Sequence, residues 1–125
     1  MSDTGYLIDT HILLWDLNDD KKLKQRHFQL MTGDANKFIS IVSIWEIAIK
    51  VGIGKLIMPP GLLKDIENSD ISILPVLPEH ALAVSHLPHH HRDPFDRMLV
   101  AQAQMENLTI MTMDKNIKLY DVEVV

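Results

Sequence analysis

The chain has 125 residues, 46% of them hydrophobic and 23% charged, which fits a single globular domain over 1–125. Its formal net charge of −5 excludes a protein that holds nucleic acid through overall charge alone. The absence of cysteine excludes disulfides and thiol chemistry and favours a reducing cytoplasm. No apolar run reaches the roughly 20 residues of a membrane span, and residues 1–5 do not resemble a signal peptide.

The first half of the chain alternates between strand patterns and helix patterns. A short apolar run stops at Asp9, and β-branched residues predict a second strand before Ser43. Ser43 is a good N-cap with Glu46 at the capping-box spacing, so we expect a helix to begin there and to end near Gly52. The predicted elements are strands over 6–8 and 38–42 and helices over 10–17, 24–31 and 43–52.

The second half continues the alternation, with proline, glycine and asparagine marking the breaks. We expect Asn107 to stop a strongly apolar helix and Asp114 to end the strand after it. The predicted elements are helices over 62–68, 79–87 and 95–106 and strands over 71–77, 108–113 and 120–125. Strands that alternate with helices predict a mainly parallel sheet of four to five strands, covered on both faces.

Four acidic residues fall where ligands collect in parallel sheets, at the carboxyl ends of the strands. Asp9 and Asp114 end strands, whereas Glu46 and Asp96 lie in the first turns of helices. Such a cluster repels itself, so it must take up protons or bind cations. Oxygen ligands select hard ions such as Mg²⁺ or Mn²⁺. Two such ions about 4 Å apart would stabilise the attacking and leaving oxygens of a phosphodiester displacement.

Each of the four acids also has a structural interpretation. Asp9 could be a helix N-cap, and Asp114 could cap the turn that follows it. Glu46 could be the capping-box partner of Ser43 or could form an i,i+4 ion pair with Lys50. Four independent caps need not share one edge of a sheet, so their joint placement favours a metal site.

The residues around Asp96 divide into structural and functional candidates. Asp93 precedes a proline and is well placed as an N-cap, so we assign Asp93 a structural role and Asp96 the metal role. Adjacent histidines in a loop rarely face one ion. We therefore expect a solvated loop in which His91 at most supports the turn. The other loop histidines, His86, His89 and His90, are expected to be solvated. Three basic residues flank the acids and are candidates for phosphate contacts, for surface charges or for pairing with an acid: Lys50, Arg92 and Arg97.

With these residues in view, the chain resembles the PIN-domain ribonucleases, specifically the VapC-type toxins of bacterial toxin–antitoxin pairs. Four segments carry the resemblance in order, and "HRDPFDRMLVAQA" is the most specific of them. The resemblance places the metal-binding acids at Asp9, Glu46, Asp96 and Asp114, with Thr112 as a nearby hydroxyl. The other segments are "YLIDTHILLW", "SIWEIAIKVGIGKL" and "LTIMTMD".

The resemblance implies a three-layer α/β/α fold and an endoribonuclease that requires Mg²⁺ or Mn²⁺. It implies that metal-activated water cleaves RNA to leave a 5′-phosphate and a 3′-hydroxyl. It also implies a homodimer and a cognate antitoxin whose C-terminal segment covers the acidic site, often with an arginine. Such a guanidinium would offset the repulsion among the carboxylates.

Three other functions fit part of the sequence. A phosphoacceptor receiver domain also binds Mg²⁺ at one sheet edge, but it needs paired acids after the first strand, and Asp9 is followed by Thr10. A non-catalytic PIN scaffold would not need all four acids. A DNA-directed nuclease of similar architecture would need the same acids, and the sequence excludes it less firmly.

Overall fold

The computed structural model describes residues 5–125, which form a parallel sheet flanked by helices. The strands are β1 (Gly5–Ile8), β2 (Asn36–Ser40), β3 (Ile71–Leu74) and β4 (Thr109–Met111). The helices are α1 (Thr10–Leu17), α2 (Gln25–Thr32), α3 (Ile41–Gly52), α4 (Leu62–Glu67), α5 (Pro78–Ala83) and α6 (Pro94–Glu106). Short 3₁₀ turns span Val84–His86 and Ile117–Leu119. The predicted alternation of strands and helices is confirmed.

The strand order is β3-β2-β1-β4, and every neighbouring pair is parallel. Leu7 on the central strand β1 pairs with Phe38 on one side and with Ile110 on the other. The carboxyl ends of β1 and β4 therefore lie side by side. This arrangement brings Asp9 and the residues that follow β4 to one edge, as the sequence predicts.

The sheet is covered on both faces because successive strand residues point in opposite directions. Leu7 and Ile110 pack with Val100 of α6 in one buried cluster. Ile8 and Met111 pack in a second cluster, together with apolar residues of α1, α3 and α4. The two clusters are the two interfaces of a three-layer α/β/α fold, which confirms the predicted fold class.

The C-terminal segment forms less strand than the sequence predicts. Over 120–125 the backbone makes one isolated parallel bridge, between Val124 and Ile110. The Ile110 N–H donates to the Glu123 carbonyl, and the Val125 N–H donates to the Ile110 carbonyl, both at 2.9 Å. Tyr120 turns inward and is buried, so this end of the chain extends the sheet by a single pair of residues.

Helix α3 begins three residues before the predicted position. Ser40 is the N-cap, and its hydroxyl accepts from the Val42 N–H at 3.0 Å. The predicted N-cap, Ser43, lies inside the helix and is buried. The β-branched pair Ile41 and Val42 favours a strand locally, but the cap and the burial of Val42 favour a helix.

Two other element boundaries bear on the site. Helix α6 has Asp93 at its N-cap and ends at Asn107, whose φ of 55° is the left-handed C-cap conformation; both predictions are confirmed. Strand β4 ends at Met111, so Asp114 lies three residues beyond the strand and not at its end. Within residues 5–125, no helix has both the length and the apolar character needed to cross a membrane.

Candidate active site

Asp9 follows β1 directly and is buried, with 3% of its surface exposed. Its backbone N–H donates to the Met111 carbonyl at 3.0 Å, which joins it to the end of β4. The residue occupies the N-cap position of α1, but its side chain makes no capping hydrogen bond. Its Oδ2 instead accepts from the Thr112 hydroxyl at 2.7 Å. The N-cap interpretation of the Asp9 side chain is therefore wrong, and the carboxylate faces the neighbouring strand.

Glu46 lies in the second turn of α3 and is also buried. Its Oε1 accepts from the Thr10 hydroxyl at 2.8 Å, and its Oε2 accepts from Lys50 Nζ at 2.6 Å. The i,i+4 ion pair is confirmed, and the capping-box pairing with Ser43 is wrong. The Ser43 hydroxyl instead lies 2.8 Å from the Thr10 hydroxyl. Both oxygens of Glu46 are thus oriented by neighbouring side chains.

Asp93 and Asp96 make different contacts at the start of α6. Asp93 Oδ1 accepts from the Phe95 N–H at 2.8 Å and from the Asp96 N–H at 3.1 Å, so its capping role is confirmed. The Asp96 side chain makes no such cap. Its Oδ2 lies 2.9 Å from Nε2 of His91.

Asp114 both caps a turn and faces the other acids. Its backbone N–H donates to the Thr112 hydroxyl at 2.9 Å, and its Oδ1 accepts from the Asn116 N–H at 2.8 Å. The turn-capping interpretation is therefore confirmed for one oxygen. The other oxygen, Oδ2, lies 3.5 Å from His91 Nε2. Since the Thr112 hydroxyl contacts both Asp9 and Asp114, it fixes the spacing of two acids on adjacent strands.

The pKa of Asp96 shows how strongly the acids act on one another. Burial is the largest cause that raises it to about 8, followed by the negative charges of Asp9, Asp93, Asp114 and Glu46. Burial also raises the pKa of Asp9, while the Thr112 hydrogen bond opposes that shift. A bound cation would relieve the same repulsion, so the donor chemistry fits a hard divalent ion.

The spacing of possible ligand atoms brings in one residue that the sequence analysis did not place in the site. Among residues 5–125, His91, Asp93 and Asp96 each offer a ligand atom within 4.8 Å of the others. His91 contacts Asp96 and so supports the Asp93–Asp96 turn, as the sequence predicts, and its imidazole also lies 3.5 Å from Asp114 Oδ2. Its position five residues before Asp96 in "HRDPFD" was the available signal. His86, His89 and His90 are exposed, as expected of a solvated loop.

The site opens to solvent through a cleft of about 270 Å³ lined by Asp9, His11, Trp15, Met113 and Asp114. Two of the four acids, Asp9 and Asp114, therefore line a solvent-filled space. Of the three basic residues considered for RNA contact, Arg92 is exposed and Lys50 is partly exposed.

Arg97 does not lie at the surface. Its guanidinium is buried and donates to the carbonyls of Pro88 and Val84 and to the Tyr120 hydroxyl. The expected phosphate contact of Arg97 is corrected to a structural role, because these oxygens occupy its donors.

Comparisons with known proteins agree with this architecture. A family model described as PIN domain matches residues 6–123. No curated protein matches the chain. Among solved structures, VapBC2 from Rickettsia felis, crystallised with a DNA fragment from its promoter, is similar at a TM-score of 0.73. It has 17% identity over 98% of both chains.

Two further solved structures are similar over nearly their whole length. FitAcB from Neisseria gonorrhoeae has a TM-score of 0.69 and 18% identity over 95% of both chains. DNA-bound VapBC from Salmonella typhimurium has a TM-score of 0.68 and 15% identity, over 98% of this chain and 97% of that chain. At these identities the likeness establishes the fold.

Proposed function

This chain belongs to the PIN domain family, a family of nucleases, and on that premise we propose that it is a metal-dependent endoribonuclease of the VapC type. In this proposal, residues 1–125 form one PIN domain that acts in the cytoplasm as the toxin of a toxin–antitoxin pair. The observation that carries the proposal is the convergence of Asp9, Asp96 and Asp114 on one edge of the sheet, where Asp9 and Asp114 raise the pKa of Asp96 and Asp114 also raises the pKa of Asp9.

Asp9, Asp96 and Asp114 would hold one or two Mg²⁺ or Mn²⁺ ions. The bound metal would activate water for in-line attack on an RNA phosphodiester, leaving a 5′-phosphate and a 3′-hydroxyl. Thr112 donates to Asp9 and so keeps one oxygen of that ligand in a fixed direction. Glu46 would contribute from the outer side of the site, because Thr10 and Lys50 already contact its two oxygens.

The charges around the acids support substrate binding at this edge. Lys50 lies beside Glu46, and the hydrogen bond between them raises the pKa of Lys50, so its ammonium stays charged. Arg92 is exposed one residue before the α6 N-cap. Both would contact RNA phosphates, and they would offset part of the net acidity near the cleft.

Exposed apolar residues support the proposed protein partners, a cognate antitoxin and a second copy of the chain. Trp45 is 58% exposed on α3, and Leu82 is 74% exposed on α5. Large exposed apolar groups are typical of protein interfaces. An antitoxin arginine placed among the carboxylates would neutralise them in the absence of metal. The structures of VapBC and FitAB proteins found as neighbours supply the precedent for such a pair.

The proposal is tested with purified protein free of antitoxin. Structured RNA and single-stranded DNA are incubated with Mg²⁺, with Mn²⁺ or with EDTA, and with the variants Asp9→Asn and Asp34→Asn. Asp34 is an exposed acid outside the site, so its variant controls for loss of one negative charge. We expect RNA cleavage with either metal in the wild type and in Asp34→Asn only.

Different outcomes would contradict different parts of the proposal. Cleavage that persists in EDTA or in Asp9→Asn would exclude the metal–carboxylate mechanism. Cleavage of DNA without cleavage of RNA would make the chain a DNA nuclease. Metal binding without cleavage of either polymer would favour a non-catalytic PIN scaffold.

A further inference from the structure

We propose that His91 is a direct nitrogen ligand of the metal in this site, so that the site prefers Mn²⁺ to Mg²⁺. The inference rests on the proposed metal-dependent function and adds a residue and a metal preference to it. The four acids alone would form an all-oxygen site, which suits Mg²⁺ and Mn²⁺ alike. An imidazole among them changes the donor chemistry of the site.

The position of the His91 ring is the first observation that supports the proposal. Its Nε2 lies 2.9 Å from Asp96 Oδ2 and 3.5 Å from Asp114 Oδ2, so it reaches acids from two different elements. The ligand atoms of His91, Asp93 and Asp96 lie within 4.8 Å of one another. Bonds of about 2.1 Å to one ion place its ligand atoms at most about 4.2 Å apart. The distances from His91 Nε2 to Asp96 and to Asp114 both fall within this limit, so these three groups are spaced as ligands of one ion.

The backbone of His91 is fixed by a buried network. Its N–H donates to the Tyr120 hydroxyl at 3.0 Å, and the same hydroxyl accepts from Arg97 at 3.1 Å. Arg97 in turn donates to the carbonyl of Pro88 at 2.8 Å. A ligand on an anchored backbone is better preorganised than one on a free loop. His89 has no such contact and is exposed, which makes it a matched comparison in the same loop.

Ligand charge and softness favour a transition metal at this position. A neutral imidazole adds a donor without adding negative charge to acids that already repel one another. Imidazole binds first-row transition ions, whereas Mg²⁺ favours carboxylates and water. Because Mn²⁺ accepts both donor types, a bond to His91 should raise the affinity of the site for Mn²⁺ more than its affinity for Mg²⁺.

The test uses the whole purified protein loaded with Mn²⁺ and needs no RNA. Electron spin-echo spectroscopy detects an imidazole nitrogen bonded directly to Mn²⁺, and calorimetry gives the affinities for Mn²⁺ and for Mg²⁺. The variants are His91→Asn and, as the matched control, His89→Asn. We expect nitrogen modulation in the wild type and in His89→Asn and its loss in His91→Asn. Mn²⁺ affinity should fall about tenfold in His91→Asn, while Mg²⁺ affinity changes less than about twofold.

The spectrum of the wild type does not depend on whether a variant folds. Bound Mn²⁺ without nitrogen modulation would overturn the assignment, as would modulation that survives in His91→Asn. Equal losses of Mn²⁺ and Mg²⁺ affinity would show that His91 positions the carboxylates and is not a ligand. Each of these results leaves the proposed function standing. Failure of the wild type to bind either ion would instead overturn the proposed function itself.

Discussion

Two adjacent residues of α6, Asp96 and Arg97, are each 9% exposed, but the groups that surround their charges differ. Arg97 is surrounded by oxygen acceptors from its own chain. It donates to the carbonyls of Pro88 and Val84 and to the Tyr120 hydroxyl, at 2.8 to 3.1 Å. The cost of burying this cation is therefore offset inside the fold.

Asp96 faces charges of its own sign. Burial and the acids at positions 9, 93, 114 and 46 all raise its pKa, and the His91 ring contacts its Oδ2 at 2.9 Å. A buried charge that serves only the fold gains nothing from such neighbours. The difference between the two residues indicates that Arg97 stabilises the structure, whereas the acidic cluster is suited to binding a ligand.

The largest effect is expected when the charge of Asp96 is removed. Asp96→Asn keeps the size of the side chain but removes one charge from the proposed metal site. We expect RNA cleavage in Mg²⁺ or Mn²⁺ to fall by about 10²–10³-fold, the loss typical of a group that stabilises the transition state. In EDTA we expect the free energy of unfolding to rise, because burial and the neighbouring acids both disfavour a charged carboxylate at this position. Initial rates and urea unfolding measure the two effects.

The second effect comes from the other side of the comparison. Arg97→Met leaves the carbonyls of Val84, Leu87 and Pro88 and the Tyr120 phenol without their donor, so we expect the free energy of unfolding to fall by about 3 kcal/mol. Arg92→Met is the matched control, since Arg92 is exposed and its loss should change stability by less than about 0.5 kcal/mol. Urea unfolding in EDTA makes the comparison. Equal stability of the two variants would show that the Arg97 network does not support the fold.

The fold could be predicted from the sequence because its signals are local and repeated. Short apolar and β-branched runs predicted the strands, and Asp93 before Pro94 and Asn107 predicted both ends of α6. The start of α3 could not be predicted, since Ser40 and Ser43 are equally good caps and only the burial of Val42 decides between them. The C-terminal strand was overpredicted for a similar reason: the inward turn of Tyr120 depends on tertiary contacts.

The sequence predicts which residues form the candidate site better than it predicts the contacts of their side chains. The positions of the four acids, after strands or near the starts of helices, predicted that they share one sheet edge. The roles of their individual oxygens depend on contacts over long sequence separations, such as Thr112 with Asp9. The contact of His91 with Asp114 and the burial of Arg97 could not be predicted, because nothing in the sequence shows which way a loop or helix side chain turns. One faces the acids, and the other faces carbonyls.

The pH dependence of the metal-free protein is the third way to sharpen the comparison. The pKa of Asp96 is raised from 3.8 to about 8 in the folded state. The folded protein therefore binds a proton that the unfolded chain has released, and this contribution to stability is present below about pH 4 and is lost as the pH rises through about 8. In EDTA we expect the stability of the wild type relative to Asp96→Asn to fall over this range.

Measuring both proteins at each pH cancels the titration of other groups. We expect the change to be smaller than the loss from Arg97→Met, because solvent in the open cleft beside Asp9 and Asp114 screens the metal-free cluster. Saturating Mn²⁺ should abolish the pH dependence, since the ion replaces the proton. A constant difference between the two proteins from about pH 4 to about pH 8 would show that Asp96 is ionised throughout.

The smallest effect is expected at Thr112, which is buried like Arg97 but contacts the acidic cluster. This buried hydroxyl donates to Asp9 and accepts from the Asp114 N–H. It therefore pairs a backbone donor and orients a proposed metal ligand at the same time. Thr112→Val keeps the shape but leaves both partners unmatched. We expect a loss of about 1 kcal/mol in stability and of about tenfold in cleavage rate. Thr112→Ser retains the hydroxyl and should recover most of the rate. If Thr112→Val lost stability while the cleavage rate of the folded fraction was unchanged, the hydroxyl would belong with Arg97 as a structural group.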